Sequence, residues 1–231
     1  MTPRTQAAAP SLGAQPARNG SVRAHPRRVI PASWPVLKRV VDVSLGGAAL
    51  FVLSPVLLLA ALSVSVVSPG PPLFLQERVG EAGRRFRLWK LRTMMNGAES
   101  LHSAMQELNE VEGPVFKIRN DPRLHALGKF LRRTSIDELP NLINVLLGEM
   151  SLVGPRPPLP SEVAHYDETA KRRLTVKPGV TCLWQISGRS NVSFDEWMQL
   201  DNQYIDTWSP LGDLIILLRT IPAVIRGEGA R

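Results

Sequence analysis

The stretch TSIDELPNLINVLLGEMSLVGPRP, residues 134–157, brings together two adjacent carboxylates, an apolar segment and a proline-rich turn. Apolar residues recur in it at helical spacing and Gly148 supplies a stop signal, so the pattern predicts a helix that begins near Asp137 and Glu138. Ser135 and Glu138 match the capping-box pattern. The positive end of the helix dipole would then keep a nearby carboxylate ionised. An ionised Asp137 is a competent nucleophile.

The two carboxylates are expected to have separate functions. Neighbouring side chains on a helix diverge by about 100°, so Asp137 and Glu138 would not readily share one proton. We therefore expect Asp137 to attack the substrate and Glu138 to bind a metal ion. The alternative for such a pair is purely structural, with Asp137 as an N-cap and Glu138 as its capping partner. The charges around the pair favour the catalytic interpretation.

Basic residues surround this pair in the sequence. Arg132 and Arg133 precede it, and Arg156 follows in a loop whose flanking prolines restrict the backbone. Phosphoryl transfer needs charge neutralisation around the transferring group, usually with Mg²⁺ bridging its oxygens. An aspartate can also form an acyl phosphate. The stretch therefore predicts a phosphoryl-transfer site with Mg²⁺ as its cofactor.

Three motifs closely resemble the bacterial sugar transferase family, the monotopic polyprenyl-phosphate phosphoglycosyl transferases. They are LRRTSIDELPNLINVLLGEMSLVGPRP at residues 131–157, KLRTM at 90–94 and KPGVTCLWQISGR at 177–189. The resemblance runs from about residue 38 to residue 225. It implies transfer of a sugar 1-phosphate from a nucleotide sugar, such as a UDP-sugar, to polyprenyl (undecaprenyl) phosphate. This reaction would initiate the synthesis of a surface glycan or exopolysaccharide.

The resemblance also implies substrate contacts outside the central stretch. Lys90 in KLRTM would lie near the diphosphate, and Lys117 would contact substrate unless it is ordinary surface charge. Lys177 and Arg189 would bind the donor, because they lie on a loop-rich segment and loops carry specificity. Asp213 is a charge within an otherwise apolar segment and is therefore included as a candidate site residue.

The formal net charge is +8, and it is distributed unevenly along the chain. Residues 1–41 contain seven basic residues and no acidic residue, so the other 190 residues carry only +1. A nucleic-acid-binding domain concentrates basic residues on its folded surface, so this distribution argues against nucleic acid as a partner. Residues 1–35 lack apolar periodicity and are predicted to be a disordered basic tail. Such a tail is either a solvated linker or is attracted to anionic membrane lipids.

Residues 40–67 form a long apolar run whose one charged residue is Asp42. As a straight helix it would extend about 42 Å, more than the hydrocarbon core of a membrane. Ser54 and Pro55 interrupt the run midway, so both a kinked re-entrant helix and a spanning helix fit the pattern. Basic residues flank the run on both sides, which favours both flanks in the cytoplasm. With the family resemblance, these features predict a re-entrant membrane helix over residues 36–70.

Residues 71–231 are predicted to form one catalytic domain on the cytoplasmic face of the bacterial inner (plasma) membrane. Its fold class is α/β, rich in helices with a small sheet, and the re-entrant helix anchors it. Residues 73–94 predict a strand–turn–strand unit with Gly80 and Gly83 at the turn. Residues 97–110 place apolar side chains on one face and acidic side chains on another, which is typical of an amphipathic helix.

Two alternatives to a covalent enzyme remain open in the sequence. In the first, the lipid phosphate attacks the donor directly, and Asp137 serves as a base or a metal ligand. In the second, the chain is a non-catalytic membrane scaffold of a polysaccharide assembly complex. The presence of Asp137, Glu138 and Arg156 together favours an enzyme, since a scaffold needs none of them. The oligomeric state also remains open, with a homodimer as one possibility.

Overall fold

The computed structural model describes residues 33–98, 100–101, 103–110, 113–116, 118, 120–187 and 193–226. The helices are α1 (Ser33–Val67), α2 (Ala126–Arg133), α3 (Asn141–Leu147), α4 (Pro160–Val163), α5 (Glu168–Lys171), α6 (Leu183–Ile186), α7 (Phe194–Thr207) and α8 (Pro210–Arg226). The strands are β1 (Leu73–Val79), β2 (Arg85–Leu91), β3 (Ser151–Val153) and β4 (Gly179–Thr181). This arrangement confirms a helix-rich fold with small sheets. The predicted tail lies outside the described residues as far as residue 32.

The strands form two separate pairs. β1 and β2 pair in antiparallel register, with Phe74 opposite Lys90, which confirms the predicted strand–turn–strand unit. The turn between them is a short 3-10 helix, Glu81–Gly83, in which Ala82 and Gly83 have φ of 55° and 75°. β3 and β4 pair in parallel. The second pair is important for the site because the chain leaves β3 directly into the loop that carries Arg156.

The segment 97–110 differs from its prediction. Gly97 has a φ of 78°, in the left-handed region that ends or interrupts a helix. Within the described residues that follow, the regular element is a 3-10 helix, Ser103–Leu108. The apolar spacing of the segment therefore predicted a longer α-helix than the backbone forms.

The main core lies between β2, α3, β3, α7 and α8. Its fully buried side chains include Leu88 on β2, Val145 on α3 and Val153 on β3. A second cluster surrounds Trp184 and Trp197, whose ring centroids are 4.6 Å apart. Elements that carry the candidate site pack against both clusters.

α1 packs along this domain through one face. Buried and half-buried side chains recur at helical spacing from Asp42 through Leu50 and Leu57 to Val64, and the two ends contact different parts of the same domain. The opposite face is apolar and exposed, with Phe51 81% and Val66 85% exposed. α1 is long and apolar enough to cross a membrane by length and composition.

The helix continues through the predicted break at Ser54 and Pro55. Pro55 has no N–H to donate to the Phe51 carbonyl one turn earlier. The Ser54 hydroxyl donates to that carbonyl instead, at 2.7 Å. The hydroxyl thereby satisfies the acceptor that proline leaves unpaired, so the α-helical assignment runs from Ser33 to Val67 without interruption.

Polar side chains near the start of α1 bind β3. The Asp42 carboxylate accepts hydrogen bonds from the Ser151 hydroxyl and the Leu152 N–H, both at 2.9 Å. One turn earlier, the Lys38 ammonium donates to the Val153 carbonyl at 3.0 Å. The charge that interrupts the apolar run is therefore buried and bonded to the domain, and two side chains of α1 hold three successive residues of β3.

We expect Asp42→Ala to destabilise the folded protein. The change leaves the buried Ser151 hydroxyl and Leu152 N–H without their acceptor, and each unsatisfied group costs about 1–3 kcal/mol. The unfolding free energy should fall by roughly 2–4 kcal/mol, measured by thermal unfolding of the detergent-solubilised protein. Ser44→Ala, at an exposed position of the same helix, is the control. A wild-type midpoint for Asp42→Ala would contradict a stabilising function for this carboxylate.

Candidate active site

Asp137 and Glu138 lie in a 3-10 turn, Ile136–Glu138, between α2 and α3. Ser135 before it adopts the left-handed conformation, with φ 57° and ψ 17°, and its side chain makes no capping hydrogen bond. α3 begins only at Asn141. The predicted capping box and the predicted helix start at the carboxylates are therefore wrong, because Ser135 is left-handed and a 3-10 turn precedes α3.

Glu138 is held by two cations from distant parts of the chain. Its Oε1 atom accepts hydrogen bonds from Lys90 Nζ at 2.9 Å and from Arg156 Nη1 at 3.0 Å. Burial would raise the pKa of this carboxyl, but the charges of Arg156 and Lys90 outweigh burial and hold the pKa well below its usual range. Glu138 is therefore an anion at every physiological pH.

Asp137 has a different environment, although it is adjacent. It is 6% exposed, and no described residue donates a hydrogen bond to its carboxylate. Burial raises the pKa of Asp137 to about 6, and the charge of Lys90 opposes that rise while Glu138 adds to it. At neutral pH the carboxyl is mostly ionised. The nearby cations favour this ionised state, in place of the helix dipole that the sequence predicted.

Both carboxylates line a cavity of about 750 Å³. The cavity wall carries more cations than anions. The cations are Arg78, Lys90, Arg92, Arg123, Arg132 and Arg156. The carboxylates are Asp121, Asp137, Glu138 and Glu162. The volume lies within the usual range for small-molecule sites, and its cationic excess suits a ligand with several phosphate charges.

The structure brings together half of the residues predicted for the site. Lys90, Arg132 and Arg156 line the cavity with the two carboxylates, and Arg132 Nε donates to the Thr93 hydroxyl at 3.1 Å. Arg133 is exposed and lies outside the lining, and Lys177 is half-buried and also lies outside it. Two further predicted contacts, Lys117 and Arg189, lie outside the described residues.

Asp213 lies in the core interface between α1 and α8, away from the cavity. Its carboxylate pairs with Lys38 at 2.5 Å and accepts hydrogen bonds from the Tyr204 hydroxyl at 2.9 Å and Trp208 Nε1 at 3.0 Å. These contacts explain a charge in an apolar segment without any contact to the cavity. Asp213 connects α8 to the start of α1.

Sequence analysis missed Arg78. Phe74, Gln76 and Arg78 are alternate residues of β1, and all three line the cavity. Lys90, which pairs with Phe74 on β2, lines it too. Burial, and then the charge of Arg156, lower the pKa of Arg78 to about 10. The period-two alternation of a strand could have placed Arg78 on the same face as Gln76, but the basic residues of this segment were interpreted only as a membrane flank.

Asp121, Arg123 and Glu162 also line the cavity, and none of them was among the predicted site residues. Asp121 and Arg123 form a buried pair, 2.6 Å between Asp121 Oδ2 and Arg123 Nη2. Glu162 is 6% exposed, and its Oε2 atom accepts from the Leu159 N–H at 2.9 Å. Each of these groups reaches the cavity through tertiary packing, which local spacing does not encode.

The carboxylates fit a Mg²⁺ ion that a substrate helps to hold. Lys90 and Arg156 both bind Oε1 of Glu138, which leaves Oε2 and the Asp137 carboxylate as oxygen donors. Within the described ranges there is no group of three or more His, Cys, Asp or Glu side chains that could hold a metal. Mg²⁺ is typically bound through one or two carboxylates together with substrate phosphates, so the residues present suit this ion.

The sequence also matches a known protein family. The family model for bacterial sugar transferases matches residues 33–227. The chain belongs to the bacterial sugar transferase family. The matched range contains α1, both strand pairs and every residue of the cavity. Membership confirms the resemblance that the three sequence motifs indicated.

Curated relatives match over most of this chain. It is 51% identical over 163 residues to the galactosyl transferase CpsE of Streptococcus agalactiae, with 70% of this chain and 36% of CpsE covered. It is 40% identical over 197 residues to the exopolysaccharide production protein ExoY of Rhizobium meliloti, covering 84% of this chain and 87% of ExoY. It is also 40% identical over 198 residues to the undecaprenyl-phosphate galactose phosphotransferase of Salmonella typhimurium, covering 84% of this chain and 41% of that protein. The chain thus spans less than half of two of these relatives and most of ExoY.

We expect Asp137→Asn to stabilise the metal-free protein more at pH 8 than at pH 5. The raised pKa of Asp137, about 6, means that the contribution of this group to stability is complete below about pH 4 and is lost as the pH rises through 6. A shift of about two pKa units corresponds to roughly 3 kcal/mol, and the asparagine variant avoids this loss. Thermal unfolding at the two pH values measures the difference. Asp195→Asn, at an exposed position, is the control, and an equal difference at both pH values would contradict the burial effect.

Proposed function

We propose that this protein transfers a sugar 1-phosphate from a nucleoside diphosphate sugar, such as a UDP-sugar, to undecaprenyl phosphate. The observation that carries the proposal is the pair Asp137 and Glu138 in a cation-lined cavity of a membrane-associated bacterial sugar transferase. Relatives named for this chemistry support it, including a UDP-glucose:undecaprenyl-phosphate glucose-1-phosphate transferase of Caulobacter vibrioides, 40% identical over 204 residues. The product would initiate exopolysaccharide or surface glycan synthesis at the cytoplasmic face of the inner membrane.

The chemistry proceeds in two displacements at one phosphorus atom. An Asp137 oxygen attacks the sugar-bearing phosphorus of the donor, and the bond from that phosphorus to the oxygen bridging the two phosphates breaks. Nucleoside monophosphate leaves with the electron pair, and Asp137 carries the sugar phosphate as an acyl phosphate. A phosphate oxygen of the lipid then attacks the same phosphorus. The Asp137 carboxylate is released, and a polyprenyl diphosphate sugar forms.

The cations of the cavity bind and orient the phosphates. Arg156 and Lys90 already bond to Glu138, so their positions are fixed before a substrate enters. Arg132 and Arg78 supply further positive charge on the same wall. A Mg²⁺ ion held by Glu138 would neutralise the charge that develops on the leaving phosphate. The residues therefore provide electrostatic stabilisation that is preorganised for a diphosphate.

A stoichiometric burst tests the covalent step. With its donor, Mg²⁺ and no lipid acceptor, the protein should release about one nucleoside monophosphate per active site and retain a sugar-phosphate adduct. Asp137→Asn should abolish the burst, because a neutral amide is a poor nucleophile. Mass spectrometry of the quenched protein locates the adduct, and UDP-galactose and UDP-glucose are the first donors to test.

Glu138→Gln should lower turnover at least 100-fold and weaken the dependence on Mg²⁺.

The same assay separates the alternatives. If monophosphate appears only after undecaprenyl phosphate is added, and no adduct forms under conditions of fast turnover, the lipid attacks the donor directly. If no donor releases monophosphate with or without lipid, the chain is a scaffold rather than an enzyme. Arg133→Met, at an exposed position outside the cavity, is the matched control for the charge variants.

The packing of α1 supports a re-entrant anchor. Asp42 near its start and Val64 near its end both contact the same domain. Val64 lies 22 positions after Asp42, a rise of about 33 Å in a straight helix, which is close to the roughly 30 Å thickness of a hydrocarbon core. A helix that crossed the membrane would place one of these contacts on the opposite side from the domain. Both contacts are satisfied together when the helix enters and leaves on one face.

We expect cysteines at positions 20 and 81 to be in the same compartment. In a Cys182→Ala background, Gly20→Cys and Glu81→Cys should both escape a membrane-impermeant maleimide in intact cells and react after the inner membrane is permeabilised. The labelling yields at the two positions, in intact and in permeabilised cells, are measured by gel shift. A periplasmic cysteine of known topology in another protein controls for reagent access. Labelling of position 20 but not position 81 in intact cells would overturn the re-entrant anchor.

A further inference from the structure

The loop that carries Arg156 is fixed through its carbonyls. Pro155, Pro157 and Pro158 have no N–H groups, so this loop has few backbone donors of its own. Four successive carbonyls each accept a hydrogen bond from a different partner. The bonds are Gly179 N to Pro155 O at 2.9 Å, Arg173 Nη2 to Arg156 O at 2.8 Å, Arg78 Nη1 to Pro157 O at 2.9 Å and Val79 N to Pro158 O at 3.0 Å.

Arg173 is more buried than Arg78, the other side-chain donor, and aromatic and acidic groups fix its guanidinium. Its side chain is 1% exposed and pairs with Asp201, 2% exposed, at 2.8 Å. Its Nη1 atom donates to the Tyr166 hydroxyl at 2.7 Å. The guanidinium carbon also lies 4.9 Å from the Trp197 ring centroid and 5.6 Å from that of Tyr166.

This pair does not lie on the cavity wall, and Arg173 reaches the site through two contacts, its hydrogen bond to the Arg156 carbonyl and its contact with the Trp197 ring, which lines the cavity. A buried ion pair contributes little net stability, since desolvation of both charges offsets their attraction. The pair instead holds the Arg173 guanidinium in one position. Because Arg173 holds the backbone of Arg156, it also fixes the point from which the Arg156 side chain reaches Glu138 Oε1, 3.0 Å away.

We propose that Arg173, held by Asp201, is a positioning residue whose buried guanidinium fixes the Arg156 carbonyl and thereby directs the Arg156 guanidinium at Glu138 and the donor phosphates. The inference rests on the proposed function, because it assigns the positioning to that reaction. Displacement of a reacting or binding group by about 1 Å can lower a rate by about 100-fold. The loop therefore needs a rigid support outside the substrate cavity.

Two substitutions test the proposal through turnover. In Arg173→Lys the charge opposite Asp201 remains, but a single ammonium cannot reproduce the fork that reaches both Tyr166 and Arg156. Asp201→Asn keeps the shape of its side chain and removes the charge that holds Arg173. Each should lower kcat about 10- to 100-fold with UDP-galactose or UDP-glucose and undecaprenyl phosphate. The control is Arg172→Met. Arg172 pairs with Asp206 on the surface, its side chain 41% exposed, and its loss should change kcat less than about twofold.

A double-mutant cycle distinguishes positioning from general destabilisation. In an Arg156→Lys background, Arg173→Lys should reduce the remaining kcat by less than about twofold, because the group that Arg173 positions is already altered. A further loss as large as in the wild-type background would overturn the proposal. It would show that Arg173 acts on turnover independently of Arg156.

Hydrogen exchange measures the loop directly and does not depend on catalysis. In Arg173→Lys and Asp201→Asn, peptides covering residues 154–163 should exchange faster, while peptides of α2 exchange as in the wild type. Unchanged exchange in the loop together with kcat within twofold of wild type would overturn the proposal. If Arg173→Lys does not fold, Asp201→Asn decides by the same criteria. If the wild type turns over no donor, the proposed function fails, and the exchange data still show whether Arg173 holds the loop.

Discussion

The structure depends on one carboxylate oxygen, Glu138 Oε1, which binds Lys90 and Arg156 at the same time. Lys90 comes from β2, Glu138 from the turn before α3, and Arg156 from the loop after β3. The three side chains are half-buried, with 15% of Lys90, 19% of Glu138 and 28% of Arg156 exposed, so breaking either pair would leave a partly desolvated charge without its partner. This requirement fixes the hairpin, the turn and the proline-rich loop relative to one another. These three segments form part of the cavity wall, to which residues that follow β2 and residues on α2, α4, α6 and α7 also contribute.

Two elements next to the site, α3 and β3, are attached to the apolar helix α1. Arg39 on α1 donates to the Val145 and Leu146 carbonyls at 2.6 and 2.9 Å, in the last turn of α3. One turn away, Asp42 binds the start of β3. α3 follows Glu138 in the chain, and β3 precedes Arg156. α1 therefore holds the elements next to both partners of the Glu138–Arg156 ion pair. The long apolar helix is therefore a structural part of the site.

Local signals in the sequence predicted the β1–β2 hairpin and half of the candidate site. The β1–β2 hairpin follows from strand alternation and turn glycines, and Lys90, Arg132 and Arg156 were identified by motif and charge before their contacts were known. The capping box failed for a physical reason. Ser135 takes a left-handed conformation before a 3-10 turn in which Glu138 contacts two cations distant in sequence, and no local pattern records those partners. Asp213 was predicted as a site residue because it is a charge in an apolar segment. Its partner Lys38 lies 175 residues away, and this ion pair explains the charge without a function at the site.

The separation of the two carboxylates also follows from this geometry. Burial disfavours the ionised form of both, but the hydrogen bonds from Lys90 and Arg156 go to Glu138 alone. Glu138 therefore stays ionised and fixed in place, whereas Asp137 keeps a raised pKa and a carboxylate that no described residue binds. Two neighbouring carboxyl groups whose environments move their pKa values in opposite directions are suited to different tasks. A nucleophile needs a free oxygen, and a group that orders cations must keep its charge. The contacts supply the free oxygen at Asp137 and the permanent charge at Glu138.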